Sequence, residues 1–331
     1  MTTSRSILFL GGTGVISAAC VRHAVDAGHR VTVLNRGRSS DRALPDGVEH
    51  LVADLRDPSS LDTALAGREY DAVAQFLAFT PDQVAADVAR FEGRTGQYLF
   101  VSSASAYQKP PARLPVRETT PLRNPFWQYS RDKAACEDVL TGVYRERGFP
   151  ATVVRPSHTY DETGLPTLFG WTDVARMRAG KPVVVHGDGT SLWTITHARD
   201  VAVGIVGLLG HPAALGEAFT VTGDHAPTWD QVYTWLGRAA GVEPDLVHVA
   251  SETIALAAPD LGPALMGDKA HSMVFDTTRL RDLVPSFGTT VTYDEGAAAQ
   301  VAWFDAHPDR QVVDPDADAL SDRLVAHARA L

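Results

Sequence analysis

An apolar run that breaks into a glycine-rich turn and restarts as a helix constrains this chain more than any other feature. The segment reads Ser6-Ile7-Leu8-Phe9-Leu10-Gly11-Gly12-Thr13-Gly14-Val15-Ile16-Ser17. The apolar stretch suits a buried strand. The glycines then permit a tight turn and a close approach of the backbone to a pyrophosphate. A helix start supplies N–H groups for the same phosphates. Strand, turn and helix in that order predict the first unit of a doubly wound, nucleotide-binding sheet.

The rest of the first half keeps the alternation. Strands are expected at residues 6–10, 30–34, 48–52, 71–77, 97–102 and 151–155, and helices at 15–27, 81–92 and 128–147. Gly28 stands where a helix C-terminal glycine belongs, and Pro81 falls in a first helical turn. Alternating strands and helices imply an α/β fold of Rossmann type with a parallel sheet. The four prolines between positions 109 and 124 mark a loop. Beyond Arg155 the pattern is irregular. Residues 1–156 and about 195–221 are assigned to the dinucleotide-binding domain. Residues about 157–194 and 222–331 are assigned to a smaller, interleaved substrate lobe.

The most chemically specific feature is Tyr129-Ser130-Arg131-Asp132-Lys133. Tyr and Lys four residues apart share one face of a helix, one turn apart. An ammonium there favours the tyrosinate and lowers the phenol's pKa. Moving that pKa from about 10 toward 7 requires roughly 4 kcal/mol of differential stabilisation. Tyr129 is then expected to exchange a proton with an alcohol or carbonyl near neutral pH. Upstream, Tyr98-Leu99-Phe100-Val101-Ser102-Ser103-Ala104-Ser105-Ala106-Tyr107 reads as a buried strand ending in serines.

Charge and composition narrow the partners. With 30 Lys and Arg against 40 Asp and Glu, the net charge is −10. That opposes a nucleic-acid backbone or an anionic membrane as the main partner. No apolar run approaches the roughly 20 residues of a membrane span. Met1-Thr2-Thr3-Ser4-Arg5 leads straight into the first strand and lacks a signal-peptide shape, so a cytoplasmic location is expected. Cys20 and Cys136 fall in expected helices and read as buried thiols. His158, His186 and His197 match no metal-ligand spacing, so no metal is expected.

Together the glycine turn, the serine-ended strand and the Tyr-x-x-x-Lys pair resemble the short-chain dehydrogenase/reductase superfamily, extended epimerase/dehydratase-like branch. The resemblance runs from Gly11 to Asp200, whose segment His197-Ala198-Arg199-Asp200 is similar to the family's His-Val-x-Asp. It implies a nicotinamide cofactor touched by Gly11, Thr13, Gly14, Val15, Ile16, Leu77, Lys133 and Pro156. Asp54-Leu55 resembles the family's adenine-contacting pair. Ser17 replaces the third glycine of the family's turn. The resemblance makes Ser103 the residue that orients the reacting oxygen, with Ser105 behind it and Ser102 as the competing assignment. It gives Lys133 two roles, on the nicotinamide ribose and on Tyr129. At the end of the second strand stands Asn35, where an NAD-preferring site carries a carboxylate, followed by Arg36-Gly37-Arg38-Ser39. Arg36 or Arg38 would attract a 2′-phosphate, so NADP(H) is favoured and NAD(H) is the alternative.

The substrate half departs from the sugar-nucleotide members. His158 replaces their asparagine and Trp193 their arginine, which makes both candidate substrate contacts. An indole does not grip a diphosphate as a guanidinium does. A sugar-like or hydroxy-ketone small molecule is therefore expected, unless Arg176 or Arg279 restores diphosphate binding. Trp127 and Trp171 read as core. Asn35-Arg36-Gly37 and His197-x-Arg199-Asp200 also resemble a divergent branch that includes chloroplast stem-loop-binding proteins. The expected function is an NAD(P)-dependent oxidoreductase or epimerase. Reduction, epimerisation and dehydration all remain open. The rival is a non-catalytic nucleotide-sensing or RNA-binding protein on the same scaffold. A homodimer is expected through the helices at 81–92 and 128–147, with Val84, Val88, Val139 and Val143 facing either the partner or their own sheet.

Overall fold

The apolar run after Arg5 forms strand β1 (Ser6–Leu10) at the centre of the sheet in the computed structural model, which describes residues 4–38 and 42–330. Met1–Thr3 of the expected leaderless start and Ser39 lie outside the described residues. Helix α1 (Val15–Asp26) follows the glycine turn, and β2 (Arg30–Asn35) and β3 (Glu49–Val52) extend the sheet to one edge. Helix α2 (Pro58–Ala64) is capped by Asp57. Next come β4 (Ala72–Gln75), α3 (Pro81–Phe91) and β5 (Tyr98–Val101). Helix α4 (Gln128–Arg147) and β6 (Ala151–Pro156) complete the first half.

Seven parallel strands form the main sheet in the order β10-β6-β5-β4-β1-β2-β3, with β10 at Ala218–Val221. The order reverses between β1 and β4, so the carboxyl ends of β1 and β4 diverge into a crevice. Alternate residues of β1 feed opposite layers. Ile7 and Phe9 pack with α1 and with helix α6 (Ala198–Leu208, numbered in sequence with the lobe helices below), whereas Leu8 and Leu10 pack toward α3 and α4. Both faces are covered, so β1 reads as a continuous apolar run and not as an alternating one.

The second half forms smaller units. Strands β7 (His158–Tyr160) and β9 (Ile195–His197) pair in parallel, as do β8 (Val183–His186) and β11 (Leu246–Val249). Helices α5 (Trp171–Arg178) and α7 (Trp229–Ala239) pack around them with Tyr293–Ala306 and Pro315–Arg329. None of these short strands was expected from the sequence. Leu280, Val284 and Phe287 leave this half and pack beneath α6 in the main core. The residues after 222 therefore do not all belong to one lobe.

Val84 and Val88 are fully buried in the chain's own core, and Val139 and Val143 pack against the same cluster. Val84 and Val88 therefore face their own sheet, one of the two alternatives, while Val139 and Val143 keep part of their surface exposed. Arg176 is buried and ion-paired with Asp318 and Asp322, while Arg279 pairs with Glu217 on the surface. Neither reaches the crevice. No described helix is long and apolar enough to cross a membrane.

Candidate functional site: a cleft at the sheet's switch point

A cleft of about 790 Å³ opens at the carboxyl ends of the strands, where the strand order reverses. Gly11, Thr13, Gly14, Val15, Ile16, Asn35, Arg36, Arg38, Asp54, Leu55, Leu77, Ser103, Ser105, Tyr129, Lys133, Pro156 and His158 all line it. Trp193 does not. It lies 3% exposed behind His158, edge-on at 5.7 Å.

The glycine turn is built for a close neighbour. Gly11 and Gly12 hold φ of +127° and +100°. A Cβ at Gly12 would fall 2.6 Å from Val33, so strain and crowding both exclude a side chain there. The sequence reading passed over Gly12, because only the β2 side chain beneath it reveals the constraint. Ser17 is buried, and its hydroxyl accepts from the Gly14 N–H at 3.0 Å, so serine in the third glycine position helps tie the turn. Helix α1 has no acidic side chain in its first turn, which leaves its positive end uncompensated. These features suit a cofactor pyrophosphate.

Asn35 braces the turn from β2. Its amide donates to the Gly11 carbonyl at 3.0 Å, and its oxygen accepts from the Gly37 N–H at 2.8 Å. Arg36 and Arg38 are exposed at the cleft edge and make no hydrogen bond or ion pair among the described residues. Asp54 accepts from the Arg56 N–H, and this bond, helped by the Arg56 side chain, holds its carboxyl below the ordinary range. Arg56 also lines the cleft and was missed from the sequence.

At the chemical end, α4 presents Tyr129 and Lys133 one turn apart. The Lys133 ammonium donates to the carbonyls of Ala78 and Val101, both at 2.8 Å, and lies 5.8 Å from the centre of the Tyr129 ring. Burial pushes the Lys133 pKa down to about 8. Burial raises the Tyr129 phenol above its ordinary value, the Ser103 hydroxyl opposes that shift, and the Asp268 carboxylate adds to it. The expected lowering of Tyr129 by Lys133 is therefore absent in the free protein: desolvation wins, and the ammonium is engaged by backbone carbonyls.

A serine chain fixes the other wall. The Ser130 hydroxyl donates to Ser105, and Ser105 shares a 2.8 Å hydrogen bond with Ser103. The Ser102 hydroxyl turns away and donates to Glu137 at 2.5 Å. Glu137, one turn beyond Lys133, also takes a bidentate bond from Arg155, which clamps α4 to β6. Asn124 joins the remaining pieces. Its amide donates to the carbonyls of Ser105 at 2.8 Å and Gly267 at 2.6 Å, while its oxygen accepts from the N–H groups of Phe126 and Trp127.

Gly267 belongs to a π-helical turn, Leu265–Lys269, which brings Asp268 and Lys269 into the cleft. The sequence reading named neither, since nothing local marks this distant segment. The three histidines go separate ways: His158 packs on Trp193, His186 packs on Trp229, and His197 caps α6. Among the described residues no group of three or more His, Cys, Asp or Glu is arranged to hold a metal.

A parallel sheet in this order, with a glycine turn and a Tyr/Lys helix at its switch point, defines a Rossmann-type nucleotide-binding enzyme architecture. The chain belongs to the NAD dependent epimerase/dehydratase family, which it matches over residues 7–222. Among curated relatives, it is 28% identical over 286 residues to the 2'-dehydrokanamycin reductase of Streptomyces kanamyceticus, covering 85% of this chain and 79% of that one. It is 26% identical over 260 residues to a chloroplast stem-loop binding protein of 41 kDa from Arabidopsis thaliana, covering 75% of this chain and 66%, just under two thirds, of that one. The fold is shared with an epimerase of Methanothermobacter thermautotrophicus, with TM-score 0.76, 15% identity and coverage of 93% and 94%. It is also shared with a dTDP-glucose 4,6-dehydratase of Bacillus anthracis in complex with NAD, with TM-score 0.73, 17% identity and coverage of 92% and 98%.

Proposed function

We propose that this enzyme moves hydride at a hydroxyl- or carbonyl-bearing carbon of a sugar-like or hydroxy-ketone small molecule. The reading rests on one observation above all: Tyr129, Ser103 and Lys133 meet the glycine turn in a single cleft at the switch point. When bound, the nicotinamide supplies or accepts the hydride. Tyr129 starts protonated, so it donates its proton to a carbonyl oxygen as that oxygen becomes an alcohol. Ser103 holds the same oxygen beside the phenol. Lys133 would hold the nicotinamide ribose, and the Ser103 hydroxyl stabilises the phenolate left behind. The reverse reaction uses the same groups with Tyr129 as base. Simple reduction or oxidation follows where the cofactor leaves, and epimerisation or dehydration where it stays.

Tyr129→Phe tests this reading. The variant is expected to keep its fold and its cofactor affinity and to lose at least about 100-fold in turnover, the scale of a lost general acid. Near-wild-type turnover would sink the mechanism. A nucleotide-sensing or RNA-binding protein on this scaffold would instead bind cofactor and show no hydride transfer in either form. The net charge of −10 weighs against a polyanionic partner.

The cofactor reading is NADP(H). Arg36 and Arg38 stand at the cleft edge without a hydrogen bond or ion pair among the described residues, and no carboxylate occupies position 35. A charge-assisted bond to a 2′-phosphate is worth about 1.5–3 kcal/mol, or roughly 10- to 100-fold in affinity. Arg36→Ala or Arg38→Ala should therefore weaken NADPH more than NADH in fluorescence titrations. Tighter NADH than NADPH binding by the unmodified protein would defeat the preference.

A further inference from the structure

Around the end of the cleft beyond Tyr129, two ammonium groups, Lys109 and Lys269, share one carboxylate, Asp268. Lys269 extends from the π-helical turn with its ammonium 4.3 Å from the centre of the Trp193 ring and 5.9 Å from that of Trp229. Its backbone is held firmly, since the Lys269 carbonyl accepts from Trp229 Nε1 at 3.2 Å and lies 3.3 Å from His186 Nε2. The two indoles meet edge-to-face at 4.7 Å, so the wall behind the ammonium is rigid. The neighbouring Asp268 carboxylate accepts from Lys109 Nζ at 2.9 Å and makes no hydrogen bond to Lys269; burial pulls the Lys269 pKa down, and the Asp268 charge opposes that fall. His158 also lines this end, and burial, helped by the Lys269 charge, pushes its pKa down to about 3, so it adds no charge. One positive charge is left over.

A cation partly withdrawn from water and faced by rings is stabilised modestly by their π-systems, and a charged partner would add far more. A diphosphate calls for more than this end offers. Arg36, Arg38 and Arg56 lie with Asp54 beyond β2 and β3, at the far end of the cleft, and Arg176 and Arg279 are engaged elsewhere. One ammonium matches one single negative charge.

We propose that Lys269 anchors a carboxylate of the substrate, which makes the substrate a monoanionic polyol or hydroxy-ketone acid, of the kind a uronate or an aldonate represents. This deepens the reading of the cleft as an active site and rests on it. Neutral sugars would leave the ammonium unmatched, and nucleoside diphosphate sugars would carry one charge too many.

The test is calorimetric titration of the protein saturated with NADPH, using matched pairs: D-galacturonate against D-galactose, and D-gluconate against D-glucitol. In each pair only the carboxylate changes. The carboxylate member should bind at least tenfold more tightly in one pair or both, the low end for a charge-assisted hydrogen bond. Tyr129→Phe should show the same preference. Lys269→Met should erase it while leaving NADPH affinity intact, and Lys269→Arg should restore part of it. A preference that survives in Lys269→Met overturns the proposal, and so does the absence of any carboxylate preference in both pairs. A Lys269-dependent preference without hydride transfer supports the anchor and counts only against the proposed reaction. Loss of NADPH binding in the unmodified protein would instead undercut the reading of the cleft itself.

Discussion

Lys133 shows how one residue carries opposed demands. Its ammonium is buried beneath the rings of Phe79 and Phe100, at 4.7 and 4.6 Å, and its pKa falls from 10.5 to about 8. Desolvation drives the fall, with Cys136 and Glu137 opposing it. Between those two values the unfolded chain binds a proton that the folded protein has released. Stability should therefore rise with pH across that window, and the penalty is full below about pH 8. A shift of this size corresponds to roughly 3 kcal/mol. Lys133→Met removes the titration, although it leaves two carbonyls unpaired. The difference in unfolding free energy, wild type minus variant, should climb by about that amount from pH 7.5 to 10.5 in denaturant melts of the cofactor-free protein. A flat difference would show that Lys133 is not held at a cost. The pair Tyr129 and Lys133 was legible from spacing alone, since four residues is one helical turn. The direction of the Tyr129 shift was not, because burial depends on Phe79, Trp127 and Asp268, which lie far from it in sequence or unmarked beside it.

Elements with strong local signals were read well. Helix α4 runs over Gln128–Arg147 as expected, ending at Gly148 in the left-handed region, and β1 spans the five residues assigned to it. The strands that went unseen, β7 to β11, are three or four residues long and paired with distant partners, so no period develops. The π-helical turn was hidden for the same reason: its place is fixed by Asn124, 143 positions earlier. A Cβ on Gly267 would lie 2.9 Å from that of Trp127, so the turn and the start of α4 are in close contact. Asn124 thus holds the serine wall, the α4 entrance and the Asp268–Lys269 turn together. Asn124→Ala should cost about 2–4 kcal/mol, since it strands buried donors and acceptors worth roughly 1–3 kcal/mol each. Turnover should fall along with the shift in denaturation midpoint. Asn124→Asp keeps the acceptor but turns a buried carboxylate oxygen onto the Ser105 and Gly267 carbonyls, so it should cost at least as much as the alanine. A loss under about 0.5 kcal/mol in the alanine variant would show that the turn is positioned by other contacts.

At the scale of the whole molecule, the question is which surface a second copy would use. The sheet and its helices leave α3 and α4 side by side, with their valines turned inward. The outward face of α3 instead exposes Ala85, Ala86 and Ala89, and α4 offers the partly exposed Ala134, Ala135 and Gly142. Small side chains let helix backbones approach closely. Two copies related by a two-fold axis would bring these faces together as a four-helix layer, the self-complementary arrangement that a homodimer requires. The dimer expected from the sequence would then be carried by these small residues and not by the valines. Light scattering should give about twice the 35.5 kDa of one chain at micromolar concentration. Ala89→Arg places a bulky charge at the centre of that face, away from the cleft and the core, and should return the mass to one chain without lowering the melting temperature of the monomer's own fold. A wild-type mass near that of a single chain would remove the dimer. An unchanged dimer in Ala89→Arg would move the interface off α3.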